Sequence, residues 1–176
     1  MLAAIATLTL AAALGVAGDA EAVTMRWTAP LDQSQEVTPP TGVPAGAGGL
    51  AKGLLDTATG HLTWKVTYEN LSGPPTMMHF HGPAPVGVNA PITVDIGAIS
   101  GLASPAKGST TISASQVAEV LDHLWFVNVH TMANMPGEIR GQVAVAPIPL
   151  PAGLPLALGA LAALSGLRLL RRSATA

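Results

Sequence analysis

Between residues 23 and 147 the chain runs in short stretches where apolar and polar residues alternate, punctuated by proline and glycine. The clearest is His61–Asn70, where Leu62, Trp64, Val66 and Tyr68 fall on one side and Thr63, Lys65, Thr67 and Glu69 on the other. A period of two is the geometry of a half-buried strand. Ahead of it, Ala51–Leu55 and the turn from Asp56 to Gly60 complete a hairpin. The same reading predicts strands at Val23–Ala29, Met77–His81, Ile92–Ile96, Ser109–Ile112, Trp125–His130 and Glu138–Val145. One stretch breaks the pattern. After the capping-type Ser113, residues Val117, Val120, Leu121 and Leu124 recur at helical spacing, which predicts one short helix. Eight or so strands with a single helix predict a mainly β domain: an antiparallel, Greek-key-like β-sandwich or flattened barrel.

Two long apolar runs lie outside this domain. Residues 1–22 hold an uncharged apolar run from Met1 to Val16 and then Ala20-Glu21-Ala22, the h-region and A-x-A cleavage site of a signal peptide, although no Lys or Arg precedes Arg26. Residues 148–176 hold the second run. From Gly153 to Leu170 a helix would span ~27 Å, just the thickness of a bilayer's hydrocarbon, and the arginines behind it favour a cytoplasmic C-terminus. Hydrophobic helices at both ends therefore predict an exported domain at 23–147, held at the membrane by its C-terminal segment.

The chain is 49% hydrophobic and 10% charged, and that imbalance resides in the ends. The domain carries eight carboxylates against five lysines and arginines. A mildly acidic domain without a run of basic residues lacks the electrostatic footprint of a nucleic-acid binder. With no cysteine in the chain, disulfides, thiolate nucleophiles and Cys-ligated zinc are excluded. No Gly-x-Ser-x-Gly element supports a hydrolase, and Gly46-Ala47-Gly48-Gly49 lacks the strand and helix context of a phosphate loop.

Candidate chemistry sits in two segments, His79-Phe80-His81-Gly82-Pro83-Ala84 and Asn128-Val129-His130-Thr131, the second followed by Pro136-Gly137-Glu138-Ile139-Arg140-Gly141-Gln142. On a strand, His79 and His81 share a face about 7 Å apart, and His130 is the natural third ligand for copper or zinc. A His-x-His pair can equally hydrogen-bond backbone or line a wet face. Met77, Met78, Met132 and Met135 flank these segments as soft ligands or as apolar filling. His61 and His123 read as surface or capping residues, and Glu138 with Arg140 as an ion pair on the last strand.

These same segments, together with the early hairpin and the intervening helix, resemble the CHRD (chordin-type) domain over about Met25 to Val145. The resemblance implies a β-sandwich that accompanies extracellular growth-factor binding in chordin and occurs in many bacterial secreted proteins. It implies a non-catalytic binding or structural module of the cell envelope or extracellular matrix, with a protein or polysaccharide partner that it does not name. A weaker similarity, to copper-zinc superoxide dismutase, would make His79, His81 and His130 copper ligands and Arg140 an anion guide; Asn128 and Glu138, in the same segments, are further candidate site residues. It lacks that family's zinc loop and disulfide, so copper is the one cofactor it implies. The tail is similar to the PEP-CTERM sorting signals in their VPLPA form: Ile148 stands for the usual Val, then come Pro149, Leu150, Pro151 and Ala152, the apolar span and the pair Arg171 and Arg172. That resemblance implies processing by an exosortase.

Overall fold

A computed structural model describes residues 23–148. Nine strands form among the described residues: β1 (Thr24–Asp32), β2 (Gly48–Asp56), β3 (His61–Glu69), β4 (Pro75–His81), β5 (Ile92–Asp95), β6 (Ala106–Thr111), β7 (Phe126–Thr131), β8 (Ile139–Gln142) and β9 (Ala144–Pro147). Helix α1 (Ile96–Ser100) follows β5, and α2 (Ala114–Leu121) lies between β6 and β7. The predicted strands are present, several with shifted ends, and the segment 138–145 divides into β8 and β9. The helix read from Ser113 is present as α2. Ser113 accepts from the Gln116 backbone N–H while the Gln116 side chain returns to the Ser113 N–H, a complete capping box. Helix α1 and a 3-10 turn at Gln33–Gln35 are additions to the expected elements. The α1 turn is short but carries its own cap, Asp95, and is stopped by Gly101 at φ 72°.

The mainly β, antiparallel class is correct. Instead of two hydrogen-bonded sheets, the described residues form one continuous curled sheet in the order β5-β4-β7-β8-β1-β2-β3-β6, with β9 paired to β1. It curls because the last strand changes partner. Up to Gln142 the chain pairs with β7 and meets β1 only where Arg140 lies opposite Asp32; after Val143, whose N–H bonds the Trp125 carbonyl, it pairs with β1 over four residues. Such a switch makes a corner, and the two halves of the sheet close over one core. Phe80 on β4 packs edge-on against Trp27 of β1 at 5.3 Å and Trp64 of β3 at 5.8 Å, strands far apart along the sheet. Helix α1 bridges the opening between β4 and β6, where Ser100 accepts from the Trp64 indole N–H at 2.8 Å. The result is a half-barrel filled by Trp27, Leu55, Leu62, Val66, Met78, Phe80, Val127, Val129 and Ile139, all at most 1% exposed.

The segments predicted to be hydrophobic helices, 1–22 and 149–176, lie outside the described residues, and with them the sorting residues Pro149, Leu150, Pro151, Ala152, Arg171 and Arg172. Among the described residues, no helix is long and apolar enough to cross a membrane.

Candidate metal site

With Met78, Phe80, Val127 and Val129 turned into the core, alternation sends His79, His81, Phe126, Asn128 and His130 to the opposite face of β4 and β7. Register lines them up: His79 pairs with Asn128 and then Arg140, His81 with Phe126 and then Gln142, and Met77 with His130. An outer sheet face of this composition would ordinarily be wet. Here every residue of β7 is buried, because the loops after β1, β4 and β7 cover that face.

The three histidines converge beneath these loops. One ring nitrogen from each lies within 4.8 Å of the others, and the ring centroids are 5.3 to 6.2 Å apart. His81 and His130 are each oriented through one nitrogen and leave the other without a partner. His81 donates from Nδ1 to the Ala90 carbonyl at 3.0 Å, and His130 from Nδ1 to the Met135 carbonyl at 2.8 Å. A carbonyl only accepts, so both rings carry the lone pair on Nε2. His79 turns Nε2 toward Asp95 at 3.9 Å, leaving Nδ1. The buried atoms without a hydrogen bond include His79 Nδ1, His81 Nε2 and His130 Nε2. Burial is the main cause depressing all three imidazolium pKa values, that of His81 to about 4. At neutral pH the site therefore presents three uncharged imidazoles with free lone pairs.

The other predicted site residues lie at the same face but touch the histidines' supports. Glu138 and Arg140 do not form the expected ion pair. Glu138 lies just ahead of β8, fully buried, and accepts from the Ser72 N–H at 2.6 Å, from the Ser72 and Thr131 hydroxyls and from Asn134 Nδ2 at 3.1 Å. Burial alone would raise its pKa, but these donors outweigh it and hold the carboxyl below its usual range. The carboxylate thus ties the turn after β7, which carries the Met135 carbonyl, to the rest of the fold. Arg140 lies 3.4 Å over the Phe126 ring, which stacks on His81 at 4.9 Å, and donates to the Val88 carbonyl at 2.8 Å and to Asn89 Oδ1 at 3.1 Å. It fixes the loop that carries the Ala90 carbonyl. Asn128 donates to Glu36 Oε2 at 3.3 Å. Burial pushes the Glu36 carboxyl up to about 7, against the pull of Arg140 and the Asn128 bond.

His61 and His123 are exposed and remote from the cluster, as read from the sequence; His123 sits in the left-handed region just past α2. Met78 belongs to the core, while Met132 and Met135 are exposed. Sequence reasoning misses Asp95, Glu36 and the carbonyls of Ala90 and Met135. Asp95 alone has a signal, a carboxylate directly before a short apolar turn.

No curated protein and no solved structure matches this chain. The family model for the CHRD domain matches residues 27–143, which spans β1 through Val143 and includes all three histidines, Asn128, Glu138 and Arg140. The chain therefore belongs to the CHRD-domain family.

Proposed function

We propose that this CHRD domain is a binding module that holds one copper or zinc ion through His79, His81 and His130, and that it works outside the cytoplasm, tethered by its C-terminal segment. The observation that carries the metal reading is the set of three converging, buried ring nitrogens left without partners, while the second nitrogen of His81 and of His130 is anchored on a backbone carbonyl. Buried polar atoms are nearly always satisfied, and metal-bound histidines characteristically anchor their second nitrogen in this way. The donor set suits borderline metals: imidazole without thiolate favours copper over zinc by intrinsic affinity. Metal-nitrogen bonds of about 2.0 Å bring two ligands to within about 4 Å of each other, so the cluster would tighten by about 1 Å on loading.

The test is titration of the full chain with copper and with zinc, beside a variant carrying His79→Ala, His81→Ala and His130→Ala. One equivalent bound tightly by the native protein and none by the variant is the expected result. Equal binding by the two would leave a CHRD module whose histidines serve the fold alone.

Support for export and tethering comes from residues 1–22 and 148–176, whose apolar runs, A-x-A element and terminal arginines agree on topology. Intact-mass measurement on protein recovered from the cell envelope is expected to find a chain beginning near Val23. A chain retaining all of residues 1–22 would overturn this reading.

A further inference from the structure

The half of the sheet away from the histidines carries most of the domain's positive charge on one row. Register places Thr28, Lys52, Lys65 and Lys107 directly opposite one another on β1, β2, β3 and β6. The three lysines are exposed, and Arg26 is exposed on the same face two residues from Thr28. Four of the five lysines and arginines in residues 23–147 therefore share one surface, within a domain that is acidic overall.

Among the described residues no lysine or arginine forms an ion pair. On their own strands, the carboxylates nearest Lys52 and Lys65 are Asp56 and Glu69, each four residues away or ~13 Å, beyond a Debye length of ~8 Å at physiological salt; Arg26, diagonal to Asp56 across β1 and β2, is the one member of the patch with a carboxylate closer. Like charges directly opposite on neighbouring strands destabilise a sheet, and this row contains two such pairs in succession. Thr63 and Ser109 are in register on the same side of β3 and β6. A groove of about 330 Å³ opens between Arg26, Lys52 and Lys65, lined also by Leu54 and Thr63.

We infer that this lysine row is a binding surface for a linear acidic polysaccharide. Strands lie about 4.8 Å apart, so the row repeats a positive charge at about the length of one sugar ring, matching a polymer with one carboxylate per residue. The groove has the volume of a small-ligand site, and because its lining is mostly apolar it would take the C–H face of a sugar ring, leaving the ring's carboxylate to the charged ends of Arg26, Lys52 and Lys65. Chemistry separates this ligand from other polyanions. A membrane surface calls for exposed apolar or aromatic residues to insert, and Leu54 is the one large apolar side chain exposed beside the row among the described residues. Single-stranded nucleic acid calls for exposed aromatic rings on which bases stack, and both tryptophans of this half, Trp27 and Trp64, are buried. The surface is on the opposite half of the sheet from the histidines and works independently of any metal.

The probe is polygalacturonate, with neutral dextran, duplex DNA and phosphatidylglycerol vesicles as comparisons. The full chain is tested beside a Lys52→Gln, Lys65→Gln, Lys107→Gln variant and the triple histidine variant. Saturable binding to polygalacturonate is expected to weaken with salt, to fall about tenfold or more in the lysine variant and to survive in the histidine variant. The lysine variant is also expected to melt no lower than the native protein, since it loses two like-charge pairs. Undiminished binding by the lysine variant, equal or tighter binding to DNA or vesicles, or no binding to polygalacturonate would each overturn the inference.

Discussion

Replacing Glu138 by alanine is expected to destabilise the domain by about 3–5 kcal/mol, the range for removing one partner from a buried charged network. The carboxylate collects one backbone and three side-chain donors, from Ser72, Thr131 and Asn134, at a position with no exposure. Without it those donors face each other across a cavity, and the turn after β7 loses its attachment to the β3–β4 connection. Glu138→Gln keeps the size but brings its own N–H donors to a site that already supplies donors, so it is expected to recover only part of the loss. Denaturant unfolding of the two variants checks this. A Glu138→Ala protein as stable as the native one would mean that the network does not offset the cost of its burial. The pH dependence follows from the lowered pKa. The contribution of Glu138 is intact above the ordinary carboxyl value near 4.5 and is lost only as pH falls through its lower folded value.

An effect of similar size and opposite sign is expected from metal. If copper or zinc binds the folded domain alone, a free concentration about a thousand times the Kd adds about 4 kcal/mol. For a domain of this size that raises Tm by roughly 10–25 °C. His130→Ala is expected to abolish most of the rise, because two imidazoles remain and the Met135 carbonyl loses its donor. Without metal the same rings act in the opposite sense. Their folded pKa values lie below the unfolded value near 6.5, so the stability they allow is complete above that value and declines as pH falls, for His81 toward about 4. Glu36, raised to about 7, works from the other side: its neutral form suits the burial, and that advantage fades as pH rises through 7. Thermal melts with and without metal, from acid to mildly alkaline pH, check both directions. Equal Tm values with and without metal across that range would remove the metal reading.

Much of this arrangement is legible in the sequence. Alternation identifies the strands because Leu62, Trp64 and Val66 must all leave water on one side. It also puts His79 and His81 together, since Phe80 between them is plainly core. The family-matching segments bring in His130, which no local pattern links to β4. The ion pair expected of Glu138 and Arg140 fails for a physical reason. Residues two apart on a strand share a face, but Glu138 precedes the strand, and its carboxylate finds better donors in Ser72, Thr131 and Asn134 than in a guanidinium already held by Val88 and Asn89. The carbonyls of Ala90 and Met135 are not legible at all. They reach the histidines through loops whose sequence says only that the chain turns. The single curled sheet is likewise hidden, because its two halves join through one pair, Asp32 opposite Arg140, and the change of partner at Val143 falls on one residue between two β-like tetrads that carries no visible mark.

The pairing of β9 with β1 brings Met25 opposite Pro147, so the chain enters and leaves the domain side by side. A domain joined at that corner hangs from a single point. Tension drawn between its two ends would load the hydrogen bonds of this pair one after another, opening them like a zip instead of shearing them together. A tether at Pro147 alone puts no such load on the pair; only a pull on both ends does. The first event under strain would be release of the short β9 strand, which leaves the histidine face, built on β4, β7 and β8, still assembled.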